Sequence, residues 1–213
     1  MIRILLFLVF MIANATPLHA FTINPSAKIG LPHPFNLSLS TDLSDSWEIG
    51  VRGTFLSPSL TVSDVSVHVH NLNLFGRYYP WDGAFFVGAF LGKHHVYAQK
   101  TDNVTVTLLG TPSTIPVTAE GIITALYVGP SVGWRFTYES GFFFGLDLGV
   151  MFPFSPSTTV EASTTDSLGT LFIEALKQTD SYQTMEADVT RNGNNIGRTT
   201  LPYFTFLELG WRF

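Results

Sequence analysis

The 213 residues suffice for one domain with a sizeable core, or for one closed barrel. Charged residues make up 13% against 46% apolar, about half the usual charged share, so a soluble surface would be hard to cover. A formal charge of -5 without a basic stripe argues against nucleic acid, and the absence of cysteine excludes disulfide scaffolds, thiol chemistry, Cys-based zinc sites and a lipoprotein anchor.

The chain opens on MIRILLFLVFMIANATPLHA, with one basic residue, Arg3, ahead of an apolar run from Ile4 to Ala13. Small residues follow, with candidate cleavage sites after Ala15 or Ala20. Residues 1–20 therefore read as a secretory signal peptide, too short in its apolar part to cross a bilayer as a helix. The remaining domain, 21–213, has no later apolar run of ~18 residues.

Beyond the signal, hydrophobicity alternates with period two. In FFFGLDLGVMFPF, Phe142, Phe144, Leu146, Leu148, Val150, Phe152 and Phe154 share one face, and Phe143, Gly145, Asp147, Gly149 and Met151 the other. The stretch from Ile122 to Phe136 alternates likewise. The pattern also recurs: Arg77-YYPWDG-FFVGAFLG is echoed by Arg135-FTYESG-FFFGLDLG, as hairpins joined by short Pro/Gly/Asp/Ser-rich turns. The spacing predicts strands near 35–42, 46–57, 62–79, 84–98, 117–137, 142–154 and 199–213, forming an up-and-down meander. Closure demands an even count, so Phe21–Leu31 supplies the eighth strand, although Pro25 weakens it.

Connections alternate between short and long, the longest being 99–116 and 155–198. In the second of these, Leu168, Leu171, Phe172, Ala175, Leu176, Tyr182, Met185 and Val189 recur at helical spacing. They predict an amphipathic helix over 166–191 with Asn192-Gly193 as its stop.

Which face meets lipid follows from composition. The minor face is rich in glycine with isolated charges: Glu48, Arg52, Arg77, Arg135, Asp147, Glu208 and Arg212. Small residues and paired charges suit a narrow lumen, whereas a solvated exterior would show Lys, Glu, Ser and Thr. The major face is Phe, Leu, Val and Trp. Tyr78, Tyr79, Trp81, Trp134, Phe136, Tyr138, Trp211 and Phe213 gather near the short turns, as an interfacial aromatic girdle would. The expected fold is an all-β, up-and-down antiparallel transmembrane barrel of about eight strands with one helix in a long loop. A soluble lipocalin-type barrel is the competing fold.

On these features the chain resembles small bacterial outer-membrane β-barrel proteins, the class of the OmpA transmembrane domain and its porin-like relatives. The resemblance is carried most specifically by the ending Gly210-Trp211-Arg212-Phe213. It implies that Leu209, Trp211 and Phe213 face lipid and form the signal read by the barrel-insertion machinery. It also implies that the last strand runs inward, leaving 155–198 extracellular.

The lumenal charges read as a salt-bridge network filling the interior, with a narrow passive channel as the alternative. His68, His70, His94 and His95 are weak metal candidates; the PWDG turn registers His68 nearly opposite His95. No cofactor is implied and no catalytic residue is assigned. Asp64, Ser66 and His68 alternate along one strand and point side by side rather than converging, so a lipid-modifying enzyme ranks third. The function expected is structural or surface-interactive, with lipid and an extracellular partner at the long loops.

Overall fold

The computed structural model describes residues 22–213 apart from 57–59, 63–64, 82, 109–110, 165–169, 171–172, 175–176 and 179. The expected signal peptide, residues 1–20, lies outside the described residues. Nine strands follow in order: β1 Asn24–Leu31, β2 Phe35–Ser44, β3 Trp47–Leu56, β4 Leu60–Val62, β5 Val65–Tyr78, β6 Phe85–Leu108, β7 Thr111–Thr137, β8 Phe142–Ser163 and β9 Leu201–Trp211. Among the described residues a helix, α1, spans Asp180–Ile196 between β8 and β9.

Each strand pairs antiparallel with its neighbours. The ring is closed twice over, by β1 against β9 and by β3 against β5. Eight strands thus form the barrel, and β4 is a short spur paired only with β5. Strand β1 is the eighth strand in spite of Pro25. Pairing with β9 holds on both sides of that proline, at Ser26 opposite Gly210 and at Ile23 with Phe213, so one missing N–H is tolerated within it. Short turns at 45–46, 79–84 and 138–141 mark one end, where Ile23 and Phe213 also pair through two backbone hydrogen bonds. The opposite end carries the long extensions.

The barrel is inside out. Its wall exposes Leu37, Leu39, Val51, Leu72, Leu74, Val87, Leu91, Val128 and Phe152, while Lys28, Glu48, Arg52, Arg77, Arg135, Asp147 and Glu208 are buried within. Trp47, Tyr78, Trp81, Trp134, Phe136, Tyr138, Trp211 and Phe213 are exposed around the turn end. Tyr79, expected in that girdle, instead turns inward and donates to Glu48 Oε2 at 3.0 Å. Glycines make room for rings inside: a Cβ on Gly133 would lie 2.5 Å from the Phe86 ring, and one on Gly210 would strike that of Phe143.

Four expectations are corrected. Residues 99–116 are not a loop: β6 and β7 stay in register through an unbroken ladder as far as Leu108 and Thr111, raising a hairpin arm. Residues 155–163 are not loop either. A bulge at Ser155, with φ of 51°, absorbs one extra residue, after which β8 re-joins β7 up to Ser163.

The helix is displaced toward the C-terminus. Thr170, Ile173, Glu174 and Lys177 are helical, and α1 runs on through Asn192-Gly193 to Ile196. Gly193 cannot end it because it is where α1 packs on β8: a Cβ there would strike Thr158 at 2.5 Å. Most of the expected apolar stripe, from Leu168 to Met185, has side chains outside the described residues, and Val189 is exposed.

Strand β9 changes face partway. Between Thr205 and Glu208 it passes two residues where β8 passes one, and β1 shows the same slip. Phe206 and Leu207 both point outward, and Tyr203 and Thr205 turn in where strict alternation from Leu209, Trp211 and Phe213 would place them outside.

Candidate functional site: a buried charge cluster in the barrel

The charged side chains that occupy the lumen come from six strands, β1, β3, β5, β7, β8 and β9. Arg77 on β5 is central. Its NH2 donates to Glu208 Oε2 at 2.7 Å and lies 3.6 Å from Asp147 Oδ2, while its NH1 reaches Glu48 Oε2 at 3.3 Å. Arg135 on β7 bridges the same two glutamates, 2.7 Å from Glu48 Oε1 and 3.2 Å from Glu208 Oε1. Lys28 Nζ on β1 lies 3.2 Å from Glu208 Oε2, and Arg52 NH1 on β3 lies 3.8 Å from Asp147 Oδ2. Hydroxyls meet further lone pairs of the two glutamates: Ser26 donates to Glu208 at 3.0 Å, and Ser40 to Glu48. Arg52 also donates to Asn73 Oδ1 at 3.2 Å and to the Tyr203 hydroxyl.

Burial of these groups is nearly complete, with Glu48 0%, Glu208 1% and Arg77 2% exposed. Unpaired charges at such depth would be far too costly, so the mutual pairing is a condition of folding. Aromatic rings seal the faces of the guanidinium groups: Phe86 lies 4.3 Å from Arg77, Phe143 4.2 Å from Arg135 and Tyr203 4.7 Å from Arg52. Among the described residues, four buried cations face three buried carboxylates.

Beyond the charges, toward the arm end, Phe75, Phe90, Tyr127, Met151 and Tyr203 form an apolar layer. Above it, the turn after β1 folds His33 inward. The His33 Nδ1 lies 3.1 Å from Asn71 Nδ2, and its ring stands 6.3 Å from that of His94. At the turn end a blind vestibule of about 620 Å³ is lined by Asp42, Asp45, Tyr79, Trp81, Tyr138 and Arg212, with Arg135 and Phe143 also in its wall.

Of the residues singled out from the sequence, Glu48, Arg52, Arg77, Arg135, Asp147 and Glu208 meet in this cluster. Arg212 does not. It lies one residue past the end of β9, at the rim, 49% exposed and 3.0 Å from Asp42. Sequence reasoning missed Lys28, Tyr79 and Tyr203. Lys28 was legible, since Asn24, Ser26 and Lys28 alternate with Pro25, Ala27 and Ile29; the prolines drew attention away. Leu209, Trp211 and Phe213 are all exposed on the outer wall.

The histidines do not converge. The register places His70 opposite His95 and His68 opposite Tyr97, two residues from the expected pairing. His94 points into the lumen, stacked on Tyr127 at 5.4 Å, while the His95 ring nitrogen is bonded to Thr124 at 2.9 Å. Among the described residues no group of three or more potential ligands is arranged for a metal ion.

A closed ring of eight antiparallel strands, apolar outside and ionic within, is the architecture of an outer-membrane β-barrel. No family model matches the sequence, and neither does any curated protein. Among solved structures, the chain is similar to CarO2 of Acinetobacter baumannii, at a TM-score of 0.48 and 10% identity over 92% of this chain and 100% of that one. CarO of the same organism gives 0.43 and 12%, over 89% and 97%. A major outer membrane protein from Thermus thermophilus gives 0.47 and 16%, over 92% and 100%.

Proposed function

We propose that this protein is a non-conducting outer-membrane barrel whose job is structural and surface-interactive: a rigid, plugged cylinder that holds a hairpin arm and a helix above the membrane. The observation that carries this reading is the filled lumen. An eight-stranded ring has just room for side chains, and here ion pairs and an apolar layer occupy it in succession. In this reading residues 1–20 are removed on export, the turn end faces the periplasm, and Leu209, Trp211 and Phe213 are read by the insertion machinery. The arm, α1 and the loop before it then lie outside the cell.

A narrow passive channel is the second reading, favoured by the vestibule at the turn end and the excess cation in the cluster. Planar bilayers separate the two. The wild-type protein, reconstituted from detergent, is expected to give no discrete conductance steps; reproducible steps from the wild type would overturn the plugged reading.

A further inference from the structure

The hairpin arm has two edges, and only one of them is blunted. Strand β5 accompanies β6 as far as Ser66 opposite Gln99. From Lys100 to Leu108, no strand among the described residues pairs with β6 on that side. On the other side β8 leaves β7 at Ser163 opposite Thr118. What remains is a two-stranded ribbon of about 30 Å, and an isolated ribbon is only marginally stable in water.

The orientation of backbone groups along this ribbon follows from its prolines. Pro112 and Pro116 lie opposite Thr107 and Asn103. Proline has no N–H, so each fits the ladder only with its nitrogen turned away from β6. The Pro116 carbonyl points away too, since it accepts from Thr164 Oγ1 at 2.6 Å. The outer edge of β7 therefore lacks two donors, a common protection against stray pairing. By the same alternation Thr101, Asn103, Thr105 and Thr107 of β6 turn their N–H and C=O groups toward the vacant side. That edge has no proline and no bulge, and from Asn103 to Ala119 the sequence holds no charge to repel a strand.

We propose that the β6 edge from Thr101 to Thr107 is a docking site for an extended, uncharged segment of another polypeptide, added antiparallel along the track that β5 vacates. Alternating backbone donors and acceptors define this ligand as an extended main chain and nothing else. A second copy in the same membrane does not fit. Two barrels facing each other tilt their strands oppositely, by ~35–45° each, so that facing β6 strands cross at roughly 70–90°.

The inference rests on the plugged-scaffold reading, and its test is separate from bilayer recording. A fluorescent, capped peptide of alternating valine and threonine with a lysine tail is titrated onto the full-length barrel in nanodiscs. Saturable binding is expected, with amide exchange slowed at Thr101, Asn103, Thr105 and Thr107. Thr105→Pro, which removes a donor from the free edge only, should weaken binding about tenfold or more. Pro112→Thr, on the opposite edge, should leave it unchanged. No saturable binding, or undiminished binding by a Thr105→Pro protein that still migrates as a folded barrel, overturns the site. A barrel that neither conducts nor binds the peptide loses this inference alone; one that conducts loses the scaffold reading.

Discussion

Glu208 is shared by four groups in the lumen, Arg77, Arg135, Lys28 and Ser26. Removing one partner of a buried ion pair strands the other, which typically costs about 3–5 kcal/mol. Glu208→Gln is therefore expected to lower stability by roughly that amount, read as an earlier urea midpoint of the barrel band on cold gels. Lys28 offers the contrast. It makes an ion pair but no hydrogen bond, and it belongs to the sign in excess. Lys28→Met, which replaces the ammonium over the Phe75 ring with an apolar group, should change stability by no more than ~1 kcal/mol. Equal losses from both substitutions would show that net charge, rather than the particular pairs, governs the interior.

At the level of single elements, β9 is the most informative strand because its bulge reverses the side-chain pattern partway along. The chain has no cysteine, so single-cysteine probes report cleanly. Phe206→Cys and Leu207→Cys should both react with a membrane-phase maleimide, and Thr205→Cys should not. Labelling that alternates strictly through all three positions would remove the bulge. The same strand shows where sequence reading reaches its limit. Period two located β9, and the resemblance put Leu209 and Trp211 on its membrane face, but a bulge is a choice between neighbouring ladders, and no residue in YFTFLE announces it. The arm was missed for a related reason. Pro112 and Pro116 do not mark a strand in the sequence, yet the ladder accommodates both with their nitrogens turned away from β6. The charge cluster was largely legible, because isolated Glu and Arg among the glycines of the minor face can be accommodated only by pairing with one another. Arg212 was misplaced because alternation gives direction but not depth.

For the molecule as a whole, barrel and arm are separable. The pairings that close the ring lie below Gln99 and Glu120, and the arm adds only β6–β7 bonds above them apart from the short β8 extension. Replacing residues 101–118 with a two-residue Asn-Gly turn, which links Lys100 to its partner Ala119, is expected to leave a barrel that still shifts on heating. A deletion protein that never acquires the folded band would mean that the arm takes part in forming the cylinder.

The distribution of the buried charges along the chain has a consequence for biogenesis. Lys28 comes from the first strand, Glu48 and Arg52 from the third, Arg77, Arg135 and Asp147 from the middle, and Glu208 from the last, 131 positions after Arg77. Without β9, Lys28 would lack its carboxylate and four buried cations would face two carboxylates, Glu48 and Asp147, an imbalance that is costly in hydrocarbon. On the proposed outer-membrane reading, a ring without β9 would be penalised by its own interior, and the strand that balances the charges is the latest of the nine in chain order.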